Sequence, residues 1–318
     1  MARITLSLKS IKLAIRDELT FQRQQRDGPN SHDSRPTFVE WLRITYPDII
    51  TMLIIGGIAI GFDKMWPPNH RLFPYLDVDG TLLSPTLAHP KIRPTLSAAL
   101  SGIISVGSPI LIFVLSSPLT SFWTTSNSIL GLLYANLLGS CIQIMIKTLI
   151  GGFRPHFLSV CHPDLSLPGA RQGVNGVYHD WTVCTGEPKD IKNALISFPS
   201  GHTEAAFASF VFLAVWLNAH LRTWGDRQPR LWQMVVTFAP LLGAVLIAGD
   251  LQMTGNHHWY DILMGATIGT GVAVGGYRAM FAAVWGQGSR RALFRGSQVT
   301  RAERGIKGRD SSSDREMV

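Results

Sequence analysis

The chain has 318 residues, a formal net charge of +8, and a composition that is 46% hydrophobic and only 16% charged. Soluble domains average about 25% charged residues, and here the apolar residues come in long blocks, which excludes an ordinary soluble globule. The positive charge does not read as a nucleic-acid surface. It collects before the first apolar block, after the last, and in the linker carrying Arg222, Arg227 and Arg230.

In chain order, residues 1–45 are basic and polar, with an amphipathic pattern over Ile4–Leu19 that suits a membrane surface. Six apolar blocks follow, at Ile49–Phe62, Leu96–Leu115, Ile129–Leu149, His202–Leu217, Leu231–Gly249 and Tyr260–Trp285. A membrane span needs about 20 mostly apolar residues. The second, third, fifth and sixth blocks meet that length; the first and fourth are short enough to be buried core helices. Their recurrence, with Trp41, Tyr46, Trp66, Trp123, Trp224 and Trp232 at the flanks, favours spans. The expected fold is all-α, a six-span transmembrane bundle over residues 46–285, followed by a basic tail over 286–318 with no apolar period. An even number of spans with basic ends puts both termini in the cytosol, leaving organelle and oligomeric state open. The first apolar block comes too late for a signal peptide, and no internal repeat is found.

Between the blocks, residues 63–95 are proline-rich and include "DVDGT", which resembles a phosphate-transfer aspartate motif but has no strand-rich domain around it. The longest connection, Gly151–Ser197, is of a length that is often functional. It contains Cys161 and Cys184, for which the compartment permits a disulfide that the sequence leaves open; Cys141, inside the third block, reads as packing.

Three short stretches carry chemistry. "KTLIGGFRP" places Lys147 and Arg154 seven residues apart, about two helical turns, so that both cations can face one way or simply snorkel to the interface. "SFPSGHTEAAF" sets Ser200 as a helix cap, Gly201 where a ligand can approach the backbone, and His202 at the rim of a helix N-terminus that favours an anion. "DLQMTGNHHWYDILMG" spaces His257 and Asp261 at i, i+4, so that on a helix the carboxylate can fix the imidazole tautomer and leave the other ring nitrogen free to attack. A metal site would want more ligands than His257, His258 and Asp261 supply. With cytosolic termini all three stretches fall on the non-cytosolic face, as a phosphate pocket with a nucleophile in it.

These motifs, in this order, resemble the type 2 phosphatidic acid phosphatase superfamily over roughly residues 45–285. The resemblance implies an integral-membrane phosphatase that needs no cofactor and no metal. His257 would attack phosphorus and form a phosphohistidine, Asp261 would orient it, and His202 would protonate the leaving oxygen. Lys147, Arg154 and the backbone at Ser200 and Gly201 would hold the phosphoryl oxygens. The implied partner is a lipid phosphate: phosphatidic acid, lysophosphatidic acid or diacylglycerol pyrophosphate, with an isoprenoid diphosphate as a variant. The chain departs from the pattern once. The family's third motif carries an arginine six residues before the nucleophilic histidine, and here that position is Leu251, preceded by Asp250. Gln252 is a candidate substitute donor, and Asp250 a candidate contact for a cationic or hydroxylated substrate. The missing arginine also motivates a catalytically silent lipid-phosphate binder; a vanadate-dependent peroxidase is the remaining reading.

Overall fold

The structure, a computed structural model, describes residues 38–67, 71–77, 79–225, 228–281 and 283–284. The amphipathic pattern over 4–19 and the basic tail over 286–318 lie outside the described residues. Among those described, the chain is mostly helical. α1 (Phe38–Lys64) is followed by α2 (Ala98–Gly102), a π-helical turn (Ile103–Gly107) and α3 (Ser108–Leu115), which run on from one another. Then come α4 (Phe122–Leu149), the short α5 (Phe157–Cys161) and α6 (Pro188–Ala194), and the long α7 (Gly201–Leu221), α8 (Leu231–Met253) and α9 (Trp259–Met280). The strands β1 (Phe73–Pro74) and β2 (Tyr178–His179) form one antiparallel pair.

Among the described residues, four helices are long and apolar enough to cross a membrane: Trp41–Lys64, Phe122–Leu149, Gly201–Leu221 and Leu231–Met253. The first and fourth apolar blocks, short in sequence, belong to this set. α1 continues upstream through Pro47 and the charged Arg43 and Asp48, and α7 gains Gly201 and the Asn218–Leu221 end. The second and sixth blocks, ample by sequence, fall below the same threshold. Ala99–Leu115 is shorter, and the 22-residue α9 dilutes its apolar residues with Gly265, Gly269, Gly271, Gly275 and Gly276.

α7 is the central helix, packed by α9, α8, α4 and the π-helical turn. Within its apolar window 72% is buried inside the protein, against 11% for Trp41–Lys64, whose outward Leu53, Ile54 and Ile60 are exposed. The α7–α9 contact depends on glycine. A β-carbon at Gly265 would stand 2.5 Å from the Ser200 carbonyl oxygen, and one at Gly269 would meet the backbone of Glu204 and Ala208. Two small residues four apart let backbones approach closely where lipid supplies no hydrophobic drive between helices. That approach brings the start of α9 against the start of α7.

The α1–α2 and α4–α7 connections build a cap at the same end. Phe73 of β1 packs on Phe157 and Leu158 of α5, Val183, and Ile191 of α6, and the Cys161–Cys184 disulfide closes the cluster. Trp66 and Trp181 touch across the two connections.

Overpacking a tight contact costs about 1–3 kcal/mol. Gly269→Val is therefore expected to lower the melting temperature in detergent by several degrees. Gly271→Ala, where a β-carbon would meet nothing within 4 Å, is expected to leave it unchanged or raise it, since alanine is the better helix former. Equal behaviour of the two variants would contradict this packing.

Candidate active site

The three motif stretches meet at the capped end of the bundle. Their local geometry differs from what spacing alone suggests. Lys147 lies in the last turn of α4, but the helix stops at Leu149. The chain then reverses through Gly151 and Gly152, at φ +55° and +144°, so Arg154 is not two turns further along one helix. What aligns Arg154 is pairing between the two ends of the long connection. The Gly152 amide donates to Leu195 O, the Arg154 amide to Ala194 O, and the Ser197 amide to Gly152 O. This pairing also delivers Ser197, a residue unmarked by any motif.

His257 and Asp261 do meet, but not on one helix. His257 precedes α9, and Asp261 sits in its first turn, where the His258 amide donates to Oδ2 at 2.9 Å. The Ser197 hydroxyl donates to the same oxygen at 2.5 Å. Nδ1 of His257 stands 3.5 Å from Oδ2, as does Nδ1 of His258. A separation of 3.5 Å is long for a hydrogen bond; catalytic contacts often tighten only with substrate bound. Both side chains of the His257–Asp261 pair are almost completely buried. Burial, and next the charge of Arg154, push the His257 imidazole down to about 3, with Asp261 acting in the opposite direction. His257 is thus neutral at pH 7, the state in which an imidazole is a nucleophile.

Arg154 is held by three acceptors. Nε donates to Asn193 O (2.9 Å), Nη2 to Asn193 Oδ1 (2.9 Å) and Nη1 to Asn256 O (3.3 Å). Burial lowers its guanidinium to about 10 while Asp261 pulls the other way, so it remains charged at neutral pH. Asn256 carries the carbonyl next to His257, and its own amide donates to Leu251 O at 3.0 Å. Arg154 therefore grips the turn that presents His257. His156 adds a second grip, its Nδ1 donating to Gly255 O at 3.1 Å.

The start of α7 is capped by Ser200, whose Oγ accepts from the Thr203 amide at 3.4 Å and the Thr203 hydroxyl at 3.0 Å. The Ser200 amide is spent on the Asp261 carbonyl at 3.0 Å. The expectation that the Ser200 backbone holds phosphate is corrected on this point, and the amides of Gly201 and His202 are the donors that a helix start leaves over. Gln143 of α4 lies over Gly201, its Oε1 3.1 Å from where a β-carbon would be.

Two adjoining cavities share His202. One, of about 350 Å³, is lined by Arg154, His202, Asn193, Leu251 and Asn256, with the α1–α2 connection at its rim. The other, of about 250 Å³, is lined by Lys147, Gln143, Gly201, His202, Ser101 and Ser105, beside the π-helical turn. Arg154 thus lines one cavity and Lys147 and Gly201 the other, with His202 and Ser101 common to both.

Two candidates of the sequence lie apart from the cavity donors. Gln252 is exposed and absent from the lining of both cavities. Asp250 does line the larger cavity, but its carboxylate receives the Thr95 and Leu96 amides at 3.2 and 3.4 Å rather than standing ready for a substrate cation. Leu251 is buried and forms an apolar wall. Ser197, Asn193, Asn256 and Gln143 went unread because their roles come from long-range pairing; only the proximity of Ser197 to the "FPSGH" stretch offered a signal.

The PAP2 superfamily pattern matches residues 128–285, which holds every motif stretch above. Lipid phosphate phosphatase 1 of Arabidopsis thaliana is 31% identical over 236 residues, covering 74% of this chain and 67% of the relative. The probable diacylglycerol pyrophosphate phosphatase 1 of Schizosaccharomyces pombe is 30% identical over 245 residues, covering 74% and 81%. Diacylglycerol pyrophosphate phosphatase 1 of Saccharomyces cerevisiae is 32% identical over 191 residues, covering 60% and 61%. No solved structure matches. With relatives of this identity and coverage, and the motif residues assembled around one buried histidine, the chain belongs to the PAP2 superfamily.

Proposed function

We propose that the protein is a membrane phosphatase that hydrolyses a lipid-borne phosphate through a phosphohistidine, without a metal. The observation that carries this reading is the buried, neutral His257 beside the Asp261 carboxylate, next to Asn256, which lines a cavity with Arg154 and His202. In the first step Nε2 of His257 forms a bond to phosphorus as the P–O bond to the lipid breaks. His202 gives its proton to the departing oxygen, and Asp261 stabilises the imidazolium character at Nδ1. In the second step water attacks phosphorus, His202 takes a proton from it, and the P–N bond breaks to release phosphate. Lys147, Arg154 and the amides of Gly201 and His202 hold the phosphoryl oxygens. Positioning and charge stabilisation are most of what phosphoryl transfer asks of a protein.

Phosphatidic acid, lysophosphatidic acid and diacylglycerol pyrophosphate are the proposed substrates, with an isoprenoid diphosphate as the variant. Support comes from the names of the relatives and from the site's position at the ends of apolar helices, where acyl chains stay in lipid. We place this face on the non-cytosolic side of a six-span bundle with cytosolic termini. The Cys161–Cys184 disulfide supports that orientation, because such bonds persist in oxidising compartments. The buried Leu251 favours a second reading, a silent lipid-phosphate binder. A binder has no need of a nucleophile, its orienting acid and a proton donor together.

Purified protein in mixed micelles with EDTA is expected to release phosphate from phosphatidic acid or diacylglycerol pyrophosphate, and His257→Ala to lose at least about a thousandfold of that rate, since removal of a covalent nucleophile costs on this scale. No release by the parent would favour the silent binder, and release abolished by EDTA would contradict metal independence. Ser197→Ala is expected to lower kcat about tenfold with little change in KM, because it loosens Asp261 rather than a phosphate contact.

The depressed imidazole of His257 also predicts acid sensitivity. The unfolded chain takes up this proton near pH 6.5 and the folded chain only near 3. Between these values the unfolded state binds more protons, so stability falls as pH falls. His257→Asn cannot titrate, and is expected to lose less melting temperature than the parent between pH 7 and pH 4; an equal or larger loss would contradict the assignment.

A further inference from the structure

The last part of the connection between α1 and α2, residues 89–96, lines the larger cavity and is tied down at several points. The His89 amide donates to Pro155 O at 3.0 Å. Asn256 Nδ2 donates to Ile92 O at 3.1 Å. The Thr95 and Leu96 amides donate to Oδ1 and Oδ2 of Asp250 at 3.2 and 3.4 Å. These ties hold Lys91 and Arg93 in the lining of the cavity that contains Arg154, His202 and Leu251.

The donors of this cavity are unequally free. Arg154 has three of its N–H groups committed to protein acceptors. Lys91 is paired with Asp190 at 2.7 Å. Arg93 has no ion pair or hydrogen bond to a described residue. Its guanidinium is a planar fork suited to two oxygens of one phosphoryl group. Asp250 explains itself in the same geometry. A carboxylate beside an anion site would repel the ligand, unless its charge is turned on other donors, and here two backbone amides take it up.

We infer that Arg93 is a phosphate-binding residue, and that Asp250 is the positioning residue that anchors its loop over the pocket. The wall that Leu251 leaves apolar at the end of α8 then receives a cation from a different connection. This inference rests on the proposed phosphate pocket, and it deepens that reading by naming a specificity-determining residue at its mouth.

The test uses full-length protein in detergent and inorganic phosphate as the probe. Its inhibition constant is measured against hydrolysis, and its affinity by the shift it produces in thermal unfolding. Arg93→Ala is expected to weaken phosphate about ten- to a hundredfold, the worth of a charge-assisted contact. Arg93→Lys is expected to recover part of the loss. Asp250→Ala is expected to weaken phosphate too, and to add nothing further in the Arg93→Ala background, a non-additivity that a merely structural effect on α8 would not produce. Asp250→Asn keeps one acceptor oxygen and is expected to fall between the parent and Asp250→Ala. Unchanged phosphate affinity in Arg93→Ala would overturn the role of Arg93, and full additivity of the two substitutions would overturn the positioning role of Asp250. Hydrolysis surviving in His257→Ala would sink the phosphohistidine mechanism instead, and no hydrolysis by the parent would sink the phosphatase reading, while the phosphate-induced thermal shift of the parent and Arg93→Ala would still decide the role of Arg93.

Discussion

One carboxylate organises this end of the protein. Oδ2 of Asp261 gathers the Ser197 hydroxyl, the His258 amide and the facing Nδ1 atoms of His257 and His258, while its backbone carbonyl receives the Ser200 amide. The long α4–α7 connection, the first turn of α7, the turn after α8 and the first turn of α9 are thereby tied to a single residue. A buried carboxylate is tolerable only when its hydrogen-bonding demand is met. The ties that stabilise the charge therefore also fix the geometry around His257. The close α7–α9 approach permitted by Gly265 and Gly269 is the condition for this, since it brings Ser200 within reach of Asp261.

Around this anchor the electrostatics are divided between holding and reacting. Arg154 is buried and largely spent on Asn193 and Asn256, so much of its charge serves to seat the turn before His257 and to keep that imidazole neutral. A cation that is structural on one side and faces a pocket on the other is pre-organised, which is where charge is most useful in phosphoryl transfer. The amides at the start of α7 add partial positive charge without an ionised group to bury.

Much of this was legible in advance, though not always for the right reason. The apolar blocks marked all the long helices, but their lengths misled at both ends. Pro47 and the charged residues around it hid the true start of α1, and the glycines of α9 were counted with a block that looks amply apolar. The motif residues converge as their order suggested, yet the i, i+4 spacing of His257 and Asp261 works through a helix cap and not along a helix face. Lys147 and Arg154 converge through a reversal at Gly151 and Gly152. Ser197, Asn193, Asn256 and the α1–α2 connection carry no local signature. They reach the site by pairings 39 to 164 residues apart in sequence, which no spacing rule registers.

The central claim is that His257 becomes covalently phosphorylated, and the most direct test is to look for that bond. The detergent-solubilised protein is mixed with phosphorus-labelled lipid phosphate, quenched within milliseconds in alkali, digested and mapped by mass spectrometry. The account predicts an acid-labile, alkali-stable phosphoryl group on His257, present in Asp261→Asn at lower occupancy and missing in His257→Ala. Turnover without any labelled His257, or label on another residue, would contradict it.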